Sequence, residues 1–375
     1  MAKDNFQIGF DVTPILYNRG VSRYTTNIIR ALAQTDDVTL KLFGSSFRAN
    51  RQLRTQITEL QKDAGIDTKP TVLAFPPAFL KNMWYGVGRL HIESLMPKVD
   101  VFHAWEELIP PSYKTPTVAT IHDLALFKFE GIAHPTTKEK HTLALKRLAA
   151  THSHVIAVSQ QTRRDLLELF SFPEDHVHVI PEAVPSESIV SPKELFTRQE
   201  IELRFGIHKP YFLWVGVNEP RKNIDRIIET WKHFSKDFDL VLVGQGLERI
   251  RPIPGLFTLR GIGKVELTSL FSKAQLLLFP SLYEGFGLPI LEAFYYGCPV
   301  VTSHISAMPE VADDAAVLVD PTDIDSLVAG VQNSIENGHN AKSQKKMKDR
   351  LKQYSWSESA KKTKEVYRLA RRDGK

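Results

Sequence analysis

The chain alternates short apolar runs with longer segments of helical periodicity, and this alternation occurs twice. Runs of this kind are typical of buried strands in parallel sheets, which helices cover on both faces. The predicted strands are Phe6–Asp11, Thr39–Phe43, Val99–His103, Thr117–Ile121, His154–Val158, Val177–Ile180, Tyr211–Val215, Leu240–Val243, Phe257–Arg260, Leu276–Phe279, Val300–Ser303 and Ala316–Val319. Helices are predicted between them, for example over Tyr24–Leu32, Gln160–Leu169, Asn223–Phe234 and Asp325–Ile335. The pattern therefore predicts two α/β domains built from βαβ units.

A polar stretch punctuated by prolines, from Pro181 to about Phe205, separates the two halves. A length of 375 residues is comfortable for two domains. We expect an N-terminal domain over 1–195, a second domain over 206–352 and a C-terminal helix over 353–375. Ligands of such sheets bind beyond the carboxyl ends of the strands, so the expected site is a cleft between the domains.

The composition is that of a globular protein, with 42% apolar and 24% charged residues. The single cysteine, Cys298, cannot form an internal disulfide, which favours a reducing compartment. We find no signal peptide and no window close to the ~20 apolar residues that span a bilayer. The sequence predicts a cytoplasmic protein, or one that lies against the inner face of the plasma membrane.

For two segments, the sequence does not decide whether they contact a membrane. Residues 341–375 contain 13 Lys or Arg and four acids, which suits either anionic lipid headgroups or an ordinary solvated helix face. The apolar stretch from Phe75 to Tyr85 suits either contact with lipid at a membrane or core packing. No recognised nucleic-acid-binding module accompanies the charge, so nucleic acid is not an expected partner.

A predicted strand, a loop with two glycines and a predicted helix follow one another after Leu276. The N–H groups and the dipole at a helix start suit a diphosphate, and Gly285 and Gly287 let the backbone approach a ligand closely. Glu284 lies in the loop, and Glu292 is expected in the first helical turn. On spacing alone, the two carboxylates either bind sugar and ribose hydroxyls or merely complement the helix N-terminus.

Several motifs, in the same order, resemble those of the family 4 glycosyltransferases. Glu284 and Glu292, within P-S-L-Y-E-G-F-G-L-P-I-L-E-A, resemble the family's E-x7-E signature. Val215-Gly-Val-Asn-Glu-Pro-Arg-Lys-Asn223 resembles a variant found in many bacterial polysaccharide mannosyl- and rhamnosyltransferases. The match runs from about residue 8 to residue 370. It implies the GT-B fold, in which two Rossmann-like domains face a central cleft and a C-terminal helix crosses back to the first domain. In that fold the domain over 1–195 would lie on the acceptor side, and the domain over 206–352 would bind the nucleotide sugar.

The resemblance also implies roles for particular residues. Arg221 and Lys222 would neutralise the diphosphate, Glu284 and His122 would contact the donor sugar, and Glu292 would hold the ribose. The further donor-binding residues it implies are Gly20, Gly216, Gly244, Gly261, Ile262, Gly285, Phe286, Gly287 and Leu288. At one place the chain departs from the family pattern, because relatives usually have Asn-Gly after Pro181 where this chain has Glu182 and Ala183. A tight glycine turn is lost there, near the acceptor side or the hinge.

No group of residues has the spacing of a metal site, since Asp237 and Asp239 precede a strand and Asp323 and Asp325 open a helix. We therefore expect metal-independent catalysis without a cofactor, the nucleotide sugar being a substrate. The resemblance implies retention of anomeric configuration, with the departing phosphate oxygen as the base.

The function expected is transfer of a hexose, mannose above all, from a GDP- or UDP-sugar. The acceptor expected is a glycan or lipid-linked glycan in surface polysaccharide biosynthesis. The alternatives are a GT-B-fold nucleotide-sugar epimerase and a non-catalytic nucleotide-sugar or glycan-binding protein. The presence of Glu284, Glu292, Arg221 and Lys222 argues against a non-catalytic protein.

Overall fold

All the strand pairs in the described structure are parallel, as expected for βαβ units. The computed structural model describes residues 5–17, 20–87, 90–132 and 134–374. The strands are β1 Phe6–Asp11, β2 Val38–Ser45, β3 Thr71–Leu73, β4 Val101–Ala104, β5 Thr117–Ile121, β6 His154–Ala157, β7 Val177–Val179, β8 Tyr211–Val217, β9 Asp239–Gln245, β10 Leu256–Leu259, β11 Leu276–Phe279, β12 Val300–Ser303 and β13 Val317–Val319. They form one sheet in the order β3-β2-β1-β4-β5-β6-β7 and another in the order β10-β9-β8-β11-β12-β13.

Helices connect most of the successive strands, and α13 and α14 follow the last strand, β13. They are α1 Gly20–Ala33, α2 Asn50–Ala64, α3 Pro77–Lys81, α4 Ala125–Lys128, α5 Pro135–Ala150, α6 Gln160–Leu169, α7 Arg198–Phe205, α8 Ile224–Lys232, α9 Lys264–Lys273, α10 Leu288–Tyr295, α11 Met308–Ala312, α12 Ile324–Asn337, α13 Ala341–Leu351 and α14 Trp356–Asp373. A π-helical segment, Asn82–Val87, continues α3. Each sheet with its helices is a Rossmann-like α/β arrangement, as predicted.

The chain divides into two units. The first unit comprises Met1–Glu182 and Ser355–Lys375, and the second comprises Ala183–Tyr354. Residues 183–195, which we expected in the N-terminal domain, belong to the second unit because they bond to α10. The backbone N–H of Val190 donates to the hydroxyl of Tyr296 at 3.0 Å, and that hydroxyl donates to the carbonyl of Ser188 at 2.6 Å.

The helix α14 belongs to the first unit although it follows the second unit in the chain. Val366, Tyr367 and Ala370 are buried in the same core cluster as Phe6 and Ile8 of β1. The crossing of the C-terminal helix back to the first domain is thereby confirmed.

Each predicted strand has a counterpart in the structure, and one strand was not predicted. That strand, β3, is three residues long, which is shorter than any of the apolar runs that predicted the others. Of the predicted helices, Gln160–Leu169 has the predicted ends, since Ser159 caps it by accepting a hydrogen bond from the N–H of Thr162.

In the structure, both the basic segment 341–375 and the apolar stretch from Phe75 to Tyr85 make contacts within the protein. In the basic segment, Lys364 and Arg368 of α14 pair with Asp37 at 2.7 and 2.9 Å. In the apolar stretch, Leu80 and Trp84 are buried, whereas Phe79 is 41% exposed. Within the part of the chain that the structure describes, no helix is both long enough and apolar enough to cross a membrane.

Candidate active site

The order of strands reverses between β8 and β11 in the second sheet, and ligands of doubly wound sheets bind beyond the carboxyl ends of strands at such a point. The loop after β8 carries Arg221 and Lys222, and the loop after β11 carries Glu284. The fold therefore places three of the four predicted catalytic residues together. We call these three residues the Glu284 group.

The carboxylate of Glu284 is bound by both cations. Its Oε2 lies 2.9 Å from Nη1 of Arg221, and its Oε1 lies 2.6 Å from Nζ of Lys222. The three side chains are only 9–12% exposed. A second carboxylate, that of Glu219, accepts from Nε of Arg221 at 2.8 Å. The guanidinium is thus fixed from two sides and presents a charge whose position is set before any ligand binds.

Backbone and side-chain bonds tie the two loops to each other. Pro220–Lys222 forms a single 3₁₀ turn that ends at Asn223, which has a left-handed backbone with φ of 62°. The side-chain amide of Asn223 donates to the carbonyls of Pro280 and Pro321 at 3.0 and 2.7 Å. The N–H of Leu282 donates to the carbonyl of Arg221 at 2.7 Å. The asparagine that ends the E-P-R-K-N motif therefore holds the turn that carries both cations.

The electrostatics of this group keep Glu284 ionised. Burial alone would raise the pKa of its carboxyl, but Lys222 and Arg221 more than offset that effect and lower the pKa below its usual value. A carboxylate with a lowered pKa and two bound cations is a poor proton acceptor. It can accept hydrogen bonds from hydroxyl groups and hold the two cations in place.

The loop after Glu284 leads into α10 as predicted. Gly287 precedes this helix with φ of 112°, a conformation that side chains rarely adopt, and Pro289 lies in its first turn. Phe286 is buried and packs edge-on against Tyr354 at 5.7 Å. The expected position of Glu292 was wrong, because α10 begins at Leu288 and its first turn contains no acidic residue.

Glu292 is nevertheless buried and bonded, with 2% of its surface exposed. Its Oε1 accepts a short hydrogen bond of 2.5 Å from the hydroxyl of Ser188. Because Glu292 lies beyond the first turn of α10, its carboxylate does not merely complement the helix N-terminus. The contact with Ser188 was not predicted, since 104 residues separate the pair.

The other predicted donor-binding residues of the second unit lie at the same edge of the sheet. Gly216 lies near the end of β8, Gly244 near the end of β9, and Gly261 and Ile262 follow β10. A Cβ on Gly244 would lie 1.6 Å from the carbonyl oxygen of Gly216, so this glycine is required for the two strands to approach. Gly244 thus has a structural role whether or not it contacts a ligand.

In the first unit, His122 directly follows β5 and lies between two carboxylates, of which that of Glu182 is buried. Its Nδ1 lies 2.9 Å from Oε1 of Glu182, and its backbone N–H donates to Oε2 of Glu106 at 3.0 Å. The ring of Tyr24 packs edge-on against the imidazole at 4.7 Å, four residues after Gly20 begins α1. We call His122, Glu182 and Glu106 the His122 group. Sequence reasoning found the histidine and missed both carboxylates, although the departure at Glu182 was the available signal.

Burial and charge act in opposite directions on His122. Burial lowers the pKa of the imidazole, but the hydrogen bond to Glu182 and the charge of Glu106 outweigh it, so the net pKa is raised. Burial likewise raises the pKa of Glu106. His122 is therefore held as an imidazolium to a higher pH than an exposed histidine would be. Asp123 beside it accepts from the N–H of Ala125 at 3.0 Å and caps α4, as the sequence suggested.

A second buried histidine links this region to α14. Nδ1 of His103 lies 2.7 Å from the hydroxyl of Tyr367, and its Nε2 lies 3.2 Å from the hydroxyl of Thr120. That hydroxyl also lies 2.8 Å from the hydroxyl of Tyr24. Burial lowers the pKa of His103 to about 3, so this imidazole is neutral. The pKa values of the two histidines are thus shifted in opposite directions.

Comparison with known families agrees with this geometry. Residues 197–354 match the family model "Glycosyl transferases group 1", and residues 18–188 match "Glycosyltransferase Family 4". The chain is 28% identical over 389 residues to the O-antigen chain mannosyltransferase B of Escherichia coli, covering 97% of this chain and 100% of that protein. It is 30% identical over 199 residues to the MMP alpha-(1->4)-mannosyltransferase of Mycolicibacterium hassiacum, covering 49% of this chain and 46% of that protein.

Solved structures share the fold. Sucrose-phosphate synthase from Thermosynechococcus elongatus superposes with a TM-score of 0.70 at 17% identity, covering 97% of this chain and 98% of that one. Anabaena HepE in complex with UDP and glucose superposes with a TM-score of 0.67 at 16% identity, covering 96% and 99%. With the motifs and the paired sheets, these matches establish that the chain belongs to the family 4 glycosyltransferases of GT-B fold.

Proposed function

We propose that this glycosyltransferase moves a hexosyl group from a nucleoside-diphosphate sugar to a glycan, with retention of anomeric configuration. The observation that carries the proposal is the Glu284 group. It presents two fixed cations and one ionised carboxylate beyond the carboxyl ends of β8 and β11. A leaving diphosphate gains negative charge as the glycosidic bond breaks, and fixed cations stabilise that charge in the transition state.

The same group supports catalysis without a metal ion or cofactor. Arg221 offers several donors in a planar fork, which suits phosphate oxygens, and Lys222 adds a compact charge. Both are held by Glu284 before substrate binds, so little rearrangement is needed when charge develops. We propose that these side chains and the N–H groups at the start of α10 together neutralise the diphosphate.

In the first unit we propose that His122 contacts a hydroxyl of the donor sugar. Glu182 binds Nδ1, so Nε2 is the ring atom available for this contact. An imidazolium donates a hydrogen bond at both nitrogens, and Glu182 and Glu106 favour that form. In this role His122 orients the sugar, and Glu182 orients His122.

The route we propose is attack from the face that the diphosphate leaves. The acceptor oxygen bonds to the anomeric carbon while the bond from that carbon to the phosphate oxygen breaks. The acceptor proton passes to the departing phosphate oxygen. Glu284 is unsuited to take that proton, since its pKa is lowered by its two cations.

For the donor we propose GDP-mannose, and for the acceptor a glycan or lipid-linked glycan of a surface polysaccharide. The support is that the relative matched over its whole length is named as an O-antigen chain mannosyltransferase, as is RfbU of Salmonella typhimurium at 26% identity over 57% of this chain. HepE was solved with UDP-glucose, so a UDP-sugar belongs in any donor panel.

The test is a panel of GDP- and UDP-sugars, each incubated with the protein with and without mannose-terminated oligosaccharides. We expect nucleoside diphosphate to be released with one donor and only when acceptor is present. The product should carry the donor's anomeric configuration by NMR, and excess EDTA should leave the rate unchanged. Release of an isomerised nucleotide sugar without acceptor would instead identify an epimerase. Binding without turnover by any donor would refute the transferase.

A further inference from the structure

A cluster of histidines lies in the first unit at the edge of the sheet opposite to the His122 group. His154 is the first residue of β6, so it lies at the amino end of that strand. His176 and His178 flank the start of β7, and Asp373 is the last residue of α14. We call these four residues the His154 cluster. Three of them, with neighbours from the loop before β5, line a cavity of about 470 Å³.

A hydrogen bond to the backbone sets the tautomer of His176. Nδ1 of His176 lies 2.7 Å from the carbonyl oxygen of His152, which can only accept. Nδ1 of His176 therefore carries the proton, and in the neutral ring Nε2 carries the lone pair. A histidine that donates through one ring nitrogen to a carbonyl is arranged as metal-bound histidines are.

His154 and Asp373 already lie at the separation of two ligands of one ion. Nε2 of His154 lies 3.1 Å from Oδ2 of Asp373, while Oδ1 of that carboxylate accepts from Nε of Arg372 at 2.8 Å. Two ligands of a tetrahedral zinc ion are about 3.3 Å apart. Donor atoms of His154, His176 and Asp373 lie within 4.8 Å of one another, so His176 must move by about an ångström to complete the set.

We propose that His154, His176 and Asp373 form a binding site for a divalent transition-metal ion of the zinc type. Two imidazoles and a carboxylate are ligands that zinc, nickel and copper prefer to magnesium and calcium. The last turn of a helix is also a favourable place for a cation, and Asp373 ends α14.

His178 allows the ion to bind without breaking the hydrogen-bond chain. Nδ1 of His154 lies 2.9 Å from Nε2 of His178. When the ion takes the lone pair at Nε2 of His154, the proton of that ring sits on Nδ1 and donates to His178. The ring of His178 then carries its own proton on Nδ1, so both rings change tautomer and no proton is lost.

An ion at this site would stabilise the fold, because it would join α14 to β6 at the amino ends of the strands. It is distinct from the proposed sugar transfer, whose residues lie beyond the carboxyl ends. Sequence spacing did not suggest it, since 219 residues separate His154 from Asp373.

The test is calorimetric titration of the chelator-treated full chain with Zn²⁺, and separately with Ni²⁺. We expect one saturable site with a dissociation constant in the micromolar range or below. His176→Ala and Asp373→Asn, both at the surface, should each weaken it at least tenfold. His208→Ala, which removes a histidine of the second unit that is paired with Glu202, should leave it unchanged.

Thermal unfolding gives an independent measure that does not depend on transferase activity. Added Zn²⁺ should raise the Tm of the wild-type chain and of His208→Ala, and not that of His176→Ala. The proposal is overturned if no saturable binding occurs. It is equally overturned if the His176→Ala and Asp373→Asn variants, folded as judged by circular dichroism, bind as tightly as wild type.

Discussion

The Glu284 group and the His122 group are built alike but differ in the cation. In each, a buried carboxylate contacts a cationic side chain beyond the carboxyl ends of parallel strands. Glu284 is bound to Arg221 and Lys222, which stay charged throughout the physiological range. Glu182 is bound to His122, whose charge depends on pH. The comparison teaches that the second unit supplies fixed charge, suited to a diphosphate, whereas the first unit supplies charge that its own carboxylates must maintain.

The largest effect is expected from removing a charged side chain of the Glu284 group. Arg221→Ala and Glu284→Gln should each reduce kcat by about 100-fold or more, because stabilisation of the leaving diphosphate is lost mainly in the transition state. The measurement is steady-state kinetics with saturating donor and acceptor. Arg249→Ala provides the control, since Arg249 lies in a short turn after β9 and outside this group. Near-normal kcat in both active-site variants would show that the Glu284 group does not act on the transition state.

A smaller and pH-dependent effect is expected from Glu182→Gln. The carboxylate of Glu182 raises the pKa of His122, and the neutral amide removes that effect, so the pKa of His122 falls. As the pH rises, His122 therefore loses its proton at a lower pH in the variant than in the wild type. The alkaline limb of the kcat/KM profile should move to lower pH, with a loss on the order of tenfold on the alkaline side of the limb and little loss on its acid side.

Two further variants separate positioning from general destabilisation. Glu182→Asp keeps a carboxylate and should restore the alkaline limb at least in part. Glu174→Gln, in the turn before β7, is the matched control and should keep the wild-type profile. A uniform loss at every pH in Glu182→Gln would contradict the assigned role, because a packing defect has no reason to follow the titration of His122.

The smallest effect is expected at Glu292, whose Oε1 accepts a hydrogen bond from the neutral hydroxyl of Ser188. Ser188→Ala removes the hydrogen bond to Oε1 of Glu292 and should raise the KM for donor about fivefold, as expected for a loss of about 1 kcal/mol. The value of kcat should change little, since ribose contacts are made equally before and during transfer. A loss in kcat with unchanged KM would place Glu292 at the reacting sugar instead.

The strands and helices were predictable because apolar runs and capping residues in the neighbouring sequence identify most of them. Gln160–Leu169 was found to the residue because Ser159 caps it, and β3 was missed because it is only three residues long. At the site, the motifs identified Arg221, Lys222 and Glu284 separately. Their mutual contacts depend on how the loops after β8 and β11 are tied by Asn223, which local patterns do not encode.

The partners that sequence reasoning missed are those joined only by the fold. Glu182 lies 60 residues from His122, and no spacing rule connects them. The change from Asn-Gly to Glu-Ala was noticed as a lost turn, whereas the structure shows that it adds a buried carboxylate beside the histidine. A departure from a family pattern is thus more informative when the chemistry gained is considered along with the conformation lost.

The way α14 completes the first unit sets an order of events during synthesis on the ribosome. Residues 183–354 emerge as one uninterrupted stretch and can fold as they appear. The first unit, although made earlier, must wait with the surface of β1 and α1 uncovered until Tyr367 and its neighbours arrive. The half of the protein that is translated first is therefore finished last, and a premature stop beyond Tyr354 would harm the N-terminal half more than the half it interrupts.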